Sequence, residues 1–324
     1  MAALGHSNSK EFPNLPEEPW DWEEISLNLL RPSDIYSGLF CISLAQRNSG
    51  RKRHRLRWMV KPRAVPQLIL KLQDPTERES ALRMLSSYLF EKREEEPENY
   101  YMVGLLLYYS CGTMTLLIQV QSLTQFSEHL MVFLRKEAAM RLINAIILFQ
   151  CIAANKLTRQ KIVSFQMANL LVPLVMHQSP LKVYDNVRAV ALSVIGIICQ
   201  DRELEMIDWA IQSDILEVCW LSIETGNELT KVVGLHILES ILQTNFGRSW
   251  LLTESNSSQQ DKLLKTLGTL VKIMAAYGSC LPRLLFHIIR CYILLCRESR
   301  GYDIVKEAVA SPLLDGTFSN ILKA

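Results

Sequence analysis

Seven polar side chains stand inside otherwise apolar helical segments, and they are the residues whose chemistry is most informative. They are Arg141 and Asn144, then Arg188, then Lys231, and finally Arg283, His287 and Arg290. A cationic head group is costly to bury alone, so each must face water, a ligand or an acidic partner. Stacked side by side, these segments would align the seven residues into a basic ladder. Such a ladder suits an acidic or extended peptide, or nucleic-acid phosphates, unless each cation is paired with a nearby acid in a structural ion pair.

Motifs for covalent or acid–base chemistry are absent from the sequence. It contains no glycine-rich phosphate loop, no HExxH, no GxSxG and no carboxylate pair at a recognisable spacing from His or Lys. The eight cysteines include no CxxC pair, and most lie in apolar helical patterns. This favours reduced, mostly buried thiols in a cytosolic or nuclear protein. We therefore predict a binding protein that has no catalytic residues, no cofactor and no metal site.

The segments that carry the ladder follow one another as helices from about Pro66 onward. Residues 187–199 (VRAVALSVIGIIC) are apolar almost all round, which predicts a helix buried on most sides. Thr76 with Glu79 fits a capping box, and Asn227 fits a helix N-cap. Residues 255–260 (SNSSQQ) are predicted to form a polar loop.

The spacing of the strongest helices indicates a repeat. The candidate inner helices begin near residues 141, 186, 229 and 283. This spacing is close to the ~40–47-residue period of armadillo and HEAT repeats. We predict an all-α, armadillo-type helical solenoid of about six repeats over residues 65–324.

Residues 1–64 differ from the rest and are predicted to form a largely flexible N-terminal extension. Residues 15–24 (LPEEPWDWEE) are acidic, aromatic and rich in proline, whereas residues 51–63 (RKRHRLRWMVKPR) are strongly basic. The basic run suits a nuclear-import signal or a phosphate-contacting patch, and a solvated linker is the alternative. No signal peptide or membrane-spanning segment is expected.

Several long sequence words resemble the armadillo-repeat subunit of the Ccr–Not deadenylase complex, its ninth subunit, also called the "required for cell differentiation" family. The matching words are NAIILFQCIAANKLTR (144–159), VRAVALSVIGIIC (187–199), GNELTKVVGLHILESIL (226–242), LPRLLFHIIRCYILL (281–295) and TFSNILK (317–323). The resemblance covers roughly residues 66–323, with the words in the family's order.

The resemblance implies an adaptor without enzymatic activity that supports mRNA deadenylation and repression in the cytoplasm, including P-bodies, and in the nucleus. The implied partners are the Not scaffold and short peptides of mRNA-binding regulators. Weak nucleic-acid binding and a role as a transcription cofactor remain the alternative, and a homodimer stays open.

Residue by residue, the resemblance implies scaffold binding by Tyr109, Cys111 and Thr115, although Tyr109 and Cys111 stand where the family has a histidine and a phenylalanine. It adds Asn186 and Val233 to the groove residues. The family's pocket for a partner's tryptophan is degenerate here, because Ser257 and Gln259 stand where a tyrosine and an arginine are expected, although Arg300 is kept. An indole ring is held by an aromatic wall and a cation, so we expect weak or absent tryptophan docking. The chain thus resembles a divergent paralogue.

Overall fold

The computed structural model describes residues 64–125 except 96, then 136–177, 182–277 and 281–318. Over these ranges the chain forms fifteen α-helices and no strand, which confirms the predicted all-α class. Except for Ala64, the predicted N-terminal extension 1–64 and its basic run 51–63 lie outside the described residues. The helices are α1 Val65–Lys71, α2 Arg78–Glu95, α3 Pro97–Tyr109, α4 Thr113–Gln125, α5 Lys136–Ala154, α6 Lys156–Ser164, α7 Val172–Met176, α8 Lys182–Gln200, α9 Leu204–Gln212, α10 Ile215–Thr225, α11 Glu228–Gln243, α12 Asn245–Leu251, α13 Ser257–Tyr277, α14 Pro282–Leu295 and α15 Ser299–Ala308.

Five of the helices form a continuous row, hereafter the central row: α2, α5, α8, α11 and α14, each packed against the next. Helices α5, α8, α11 and α14 begin at residues 136, 182, 228 and 282, so successive starts lie 46, 46 and 54 residues apart. Each predicted inner helix is a member of this row. Repeated side-by-side packing of one helix per repeat is the arrangement of a solenoid.

The central row is buried because its helices are apolar on more than one face. Every residue is buried over 145–153 of α5, 189–199 of α8 and 233–242 of α11. Shorter helices cover the row: α3 packs on α5, and α10 packs on α11. Burial on two sides leaves little room for polar side chains, so those within the row must find partners in neighbouring helices.

A repeated arginine device closes the ends of three helices. Arg78, Arg159 and Arg248 each donate to the backbone carbonyls five and six residues earlier. The Arg159 guanidinium lies 2.7 Å from the oxygen of Ala153, at the end of α5. These carbonyls have no partner inside their own helix, so the arginine satisfies acceptors that would otherwise be buried unpaired.

A short polar residue four positions before each arginine completes the device. Asp74, Asn155 and Thr244 each accept a hydrogen bond from a backbone N–H of the following turn. The prediction that Thr76 caps α2 is therefore wrong. The Thr76 hydroxyl donates to Asp74, because the carboxylate is the stronger acceptor, and the helix begins only at Arg78.

Two further local predictions have opposite outcomes. Asn227 does cap α11, accepting from the Thr230 amide at 3.0 Å. The predicted loop over residues 255–260 is wrong, because α13 begins at Ser257 after a short 3-10 turn. The Gln260 side chain turns inward and donates to the Leu251 and Thr253 carbonyls, so a polar sequence forms helix where its amides find partners.

Close approach of helices fixes the packing of α3 on α5. A methyl group at Gly104 would lie 2.4 Å from the carbonyl oxygen of Cys151, so only glycine fits there.

Among the described residues no single helix is long and apolar enough to cross a membrane. Two sharply bent helix pairs reach the required length and apolar composition together, Glu98–Tyr109 with Thr113–Gln119 and Ala138–Ala154 with Lys156–Ser164.

Candidate functional site

The basic ladder predicted from the sequence begins at the contact of α2 with α5. Arg141 is exposed, and its guanidinium lies 3.0 Å from the Glu79 carboxylate of α2. Asn144, one turn later, accepts a hydrogen bond from the Ser86 hydroxyl at 2.9 Å. Both side chains therefore join neighbouring members of the central row, and Arg141 also remains accessible to solvent.

Arg188 on α8 has its partners on the same helix and on the residue His177 shortly before it. It pairs with Asp185 one turn earlier and donates to the His177 carbonyl at 2.9 Å. Asn186, which follows Asp185 in the chain, is half-buried. An arginine with both a carboxylate and a carbonyl partner is fixed in position, which reduces the charge it can offer to a ligand.

Lys231 on α11 closes the end of α10. Its ammonium group lies 2.9 Å from the Ile223 carbonyl, one of the last acceptors of that helix. Burial lowers the pKa of Lys231 from its ordinary value. Val233, two residues later, is only 4% exposed and faces α8, where a methyl group at Gly196 would lie 3.6 Å from it. Val233 is a core residue that offers little surface to a ligand.

The last members of the ladder meet a buried carboxylate. Glu239 on α11 is 1% exposed, and its two oxygens face two cationic or titratable groups of α14. The His287 Nδ1 lies 2.8 Å from one oxygen, and the Arg290 Nε lies 2.7 Å from the other. The Arg290 guanidinium also lies over the Phe286 ring, 5.4 Å from its centre. Arg283, at the start of α14, is half-buried.

Electrostatics in this cluster favour an ionised Glu239. Burial by itself would raise the pKa of Glu239, but the hydrogen bond with His287 and the electrostatic interactions with His287 and Arg290 outweigh it and hold that pKa below its usual range. His236, one turn before Glu239, is instead held in its uncharged form. Burial lowers the pKa of His236 to about 4, and the nearby His287 contributes in the same direction. His236 is therefore neutral at neutral pH.

The residues that the resemblance assigns to scaffold binding lie on the surface. Tyr109 is 63% exposed, and Cys111 and Thr115 are also exposed. The ammonium group of Lys161 on α6 lies 5.5 Å from the centre of the Tyr109 ring.

Apolar side chains extend this surface along two adjacent helices. Met102 and Leu106 precede Tyr109 on one face of α3 at spacings of four and three residues. Leu157 on α6 and Phe165, directly after the end of α6, flank Lys161 at intervals of four residues. Each of the four side chains is between 41% and 66% exposed. We call Met102, Leu106, Tyr109, Leu157, Lys161 and Phe165 the tyrosine patch.

The residues of the degenerate tryptophan pocket have partners within the chain. Gln259 accepts a hydrogen bond from the Trp220 indole N–H at 3.0 Å, so this polar side chain serves the chain's own tryptophan. Arg300 lies 3.5 Å from the Glu254 carboxylate, and both side chains are solvent-exposed. Ser257 is exposed at the first turn of α13.

Sequence reasoning missed the acidic partners of the ladder. Glu79, Asp185 and Glu239 each neutralise one of its cations. Glu239 could have been found, because a glutamate within the apolar word VVGLHILESIL is itself an anomaly. The proximity of His236 to His287, on another helix, gives no sequence signal.

Comparison with known proteins gives a consistent picture for the region that folds into the solenoid. A family model described as "Cell differentiation family, Rcd1-like" matches residues 68–324. The cell differentiation protein rcd1 of Schizosaccharomyces pombe is 29% identical over 262 residues, which cover 81% of this chain and 88% of that protein. Protein CAF40 of Saccharomyces cerevisiae is 27% identical over 237 residues, covering 72% of this chain and 61% of CAF40.

Among solved structures, a designed armadillo repeat protein in complex with the peptide (KR)4 superposes with a TM-score of 0.55 at 18% identity. The superposition covers 80% of this chain and 95% of the designed protein. At this identity the likeness concerns the fold, and it confirms the armadillo-type solenoid.

Proposed function

The chain belongs to the Rcd1-like cell differentiation family, and from this membership we propose that it is a non-catalytic adaptor subunit of the Ccr–Not deadenylase complex. The observation that carries the proposal is the family match over residues 68–324, which spans nearly the whole described solenoid. In this role the chain binds the Not scaffold and presents peptides of mRNA-binding regulators to the complex. The deadenylases then supply the chemistry, and this chain supplies binding surfaces.

The tyrosine patch is the surface we propose for the scaffold. It contains Tyr109, which the family resemblance assigns to that role, and it exposes several large apolar side chains side by side. Contiguous apolar surface on a folded domain is typical of protein–protein contacts, and aromatic residues contribute most of the binding free energy at such contacts. A helix of the scaffold could lay its apolar face along α3 and α6.

The central row supports peptide recruitment more than nucleic-acid binding. Arg188 and Arg290 have carboxylate partners, and Lys231 is directed to backbone carbonyls. Phosphate binding draws its free energy from cations that can exchange a counterion for a phosphate, and internally paired cations do this poorly. Arg283, and Arg141 because its ion pair with Glu79 is solvent-exposed and therefore weak, are the ladder cations best placed to meet an acidic peptide.

The experiment that tests the adaptor role starts with affinity purification of the tagged chain from its native cells. Mass spectrometry should find the Not scaffold and deadenylase subunits near stoichiometric levels. The purified chain should also bind the scaffold's cognate helical segment at micromolar concentration. Failure of both would overturn the proposal.

A matched pair of variants tests the patch itself. Tyr109→Asp places a charge in the centre of the patch and should weaken scaffold binding by about tenfold or more. Tyr277→Asp is the control, because Tyr277 is also an exposed tyrosine, 78% exposed, but lies on α13 outside the patch. Equal binding by the two variants would move the scaffold site elsewhere on the solenoid.

A further inference from the structure

Three potential metal ligands meet between the last two helices of the central row. His236 and Glu239 lie one turn apart on α11, and His287 lies on α14, which packs against it. One ligand atom from each residue lies within 4.8 Å of the other two. The three residues are 7%, 1% and 6% exposed.

An independent observation concerns the ring of His236. Both of its nitrogens are buried, and neither has a hydrogen-bond partner among the described residues. A buried polar group without a partner is unfavourable by about 1–3 kcal/mol, so native proteins rarely keep one without a reason. The ring stands 5.8 Å from the His287 ring, centre to centre, on the side of the carboxylate cluster. A neutral imidazole in this position offers an unused lone pair to a ligand that the cluster could hold.

We infer that His236, Glu239 and His287 form a binding site for a divalent transition-metal ion, with zinc the best match to the ligand set. Two imidazoles and one carboxylate, with water in the fourth position, are a ligand set that zinc favours. Zinc holds such ligands at about 2.0–2.2 Å, which requires the ligand atoms to lie roughly 3.3–3.5 Å apart in a tetrahedral site. The pair His287 Nδ1 and Glu239 Oε2, now 2.8 Å apart, would open slightly to admit the ion in place of their shared proton.

Arg290 sets the electrostatic condition for this site. Its Nε lies 2.7 Å from Glu239 Oε1, so it competes with an incoming cation for the same carboxylate. Because 36% of the Arg290 side chain is exposed, the guanidinium can turn toward solvent when the ion arrives. The bound ion would tie α11 to α14 and fix the end of the central row, a structural role that adds to the adaptor function.

The test uses the full-length chain with a tag that contains no histidine. The protein is stripped with a chelator, dialysed, and given Zn²⁺ or Co²⁺. We expect one tightly held ion per chain by mass spectrometry of the metal, visible Co²⁺ absorption bands typical of four-coordinate nitrogen and oxygen ligands, and a higher Tm with Zn²⁺.

Variants assign the ion to the cluster. His236→Phe keeps an aromatic ring in the buried space and should abolish the retained ion and the Co²⁺ bands. His177→Phe is the control, because His177 packs against Tyr184 outside the cluster and its loss should change neither. Arg290→Gln removes the competing cation and should strengthen Zn²⁺ binding by about tenfold or more.

The outcomes separate a metal site from a purely structural cluster. Stoichiometric metal lost only in His236→Phe supports the proposal. If the wild type retains no ion and gives no Co²⁺ bands, or if His236→Phe retains as much as the wild type, the proposal is overturned. If circular dichroism shows that His236→Phe is unfolded, Glu239→Gln, which preserves the size of the side chain, takes its place. If neither variant folds, the wild-type Co²⁺ spectrum decides.

Discussion

The junction of α5 with α8 and the junction of α11 with α14 bury polar groups at comparable places in different ways. At the first, the Gln150 amide donates to the Ser193 hydroxyl at 3.0 Å, and both side chains are buried and neutral. At the second, the ionised Glu239 is held by His287 and Arg290. A neutral pair is satisfied by one or two hydrogen bonds, whereas a buried carboxylate needs several partners to offset its lost hydration.

The difference indicates that the two junctions are under different demands. The α5–α8 junction needs only packing and register, which a neutral pair provides. The α11–α14 junction keeps a group of charged partners, although replacing all of them together by apolar residues of similar size often costs a protein no stability. A buried charge is expected to be kept where the cluster also binds a ligand, as in the metal site inferred above.

The largest effect is expected from removing the buried charge. With a chelator present, Glu239→Leu should lower the free energy of unfolding by about 3–5 kcal/mol, because Arg290 and His287 lose their carboxylate. Gln150→Leu, the same change in shape at the neutral junction, should lower it by less than about 1.5 kcal/mol. Urea denaturation followed by circular dichroism gives both values. Equal effects would remove the distinction between the junctions.

The arginine device is common to both regions, so its loss should affect them alike. Arg159→Ala and Arg248→Ala should each lower the free energy of unfolding by about 3 kcal/mol, because two carbonyls and an acidic partner lose a charged donor. Arg141→Ala, at a solvent-exposed ion pair, should lower it by no more than about 1 kcal/mol. A large difference between the first two variants, in the same denaturation experiment, would show that the device serves one region only.

Two glycines differ in how closely neighbouring helices pack against them. Gly104→Ala should destabilise the chain by about 2 kcal/mol, because the new methyl group would contact the Cys151 carbonyl and force α3 away from α5. Gly268→Ala on α13 should instead stabilise it by up to about 1 kcal/mol, since no atom other than those of its chain neighbours and its own helix backbone lies within 4 Å of the new methyl, and alanine favours the helix. Thermal unfolding of both variants should shift Tm in opposite directions, and a shift in the same direction would contradict the packing described.

The smallest effect is expected at a partly exposed ion pair, Lys156 with Glu203, which contrasts with the buried Glu239 cluster. The hydrogen bond from Lys156 is the main reason why the pKa of Glu203 lies below its ordinary value. The ion pair therefore stabilises the folded chain above the pKa of the carboxyl in the unfolded chain, about 4.3. This stabilisation is lost as pH falls through the lowered pKa of Glu203 in the folded chain. Wild type should exceed Glu203→Gln slightly in urea midpoint at pH 7, and the two should converge near pH 3. A gap that persists at pH 3 would contradict this assignment.

Much of the fold could be predicted because it follows from local patterns. The apolar words of α5, α8, α11 and α14 specify buried helices, and their spacing specifies repeats. The start of α13 was missed, because the polar residues 255–260 look like a loop in isolation. Gln260 forms helix there only because the Leu251 and Thr253 carbonyls lie within reach.

The limit of prediction from the sequence is clearer at the candidate site. The sequence identifies Arg141 and Arg290 as anomalous cations, but their partners are 62 and 51 residues away. No local pattern fixes which acid a cation meets across a helix contact. The ladder as a ligand-binding groove therefore stays a prediction, while the ion pairs are a property of the packing.

The sequence by itself determined the helical class, the repeat and the family, because hydrophobic periodicity and long sequence words are encoded residue by residue. The tertiary structure decided which polar groups are buried together, which cations are neutralised and which surface remains apolar and exposed. Hydrophobic burial depends on composition along each helix, whereas a buried ion pair or a ligand cluster depends on distances between helices to within about an ångström. His236, Glu239 and His287 are ordinary residues in the sequence and become a cluster only when α11 and α14 pack together.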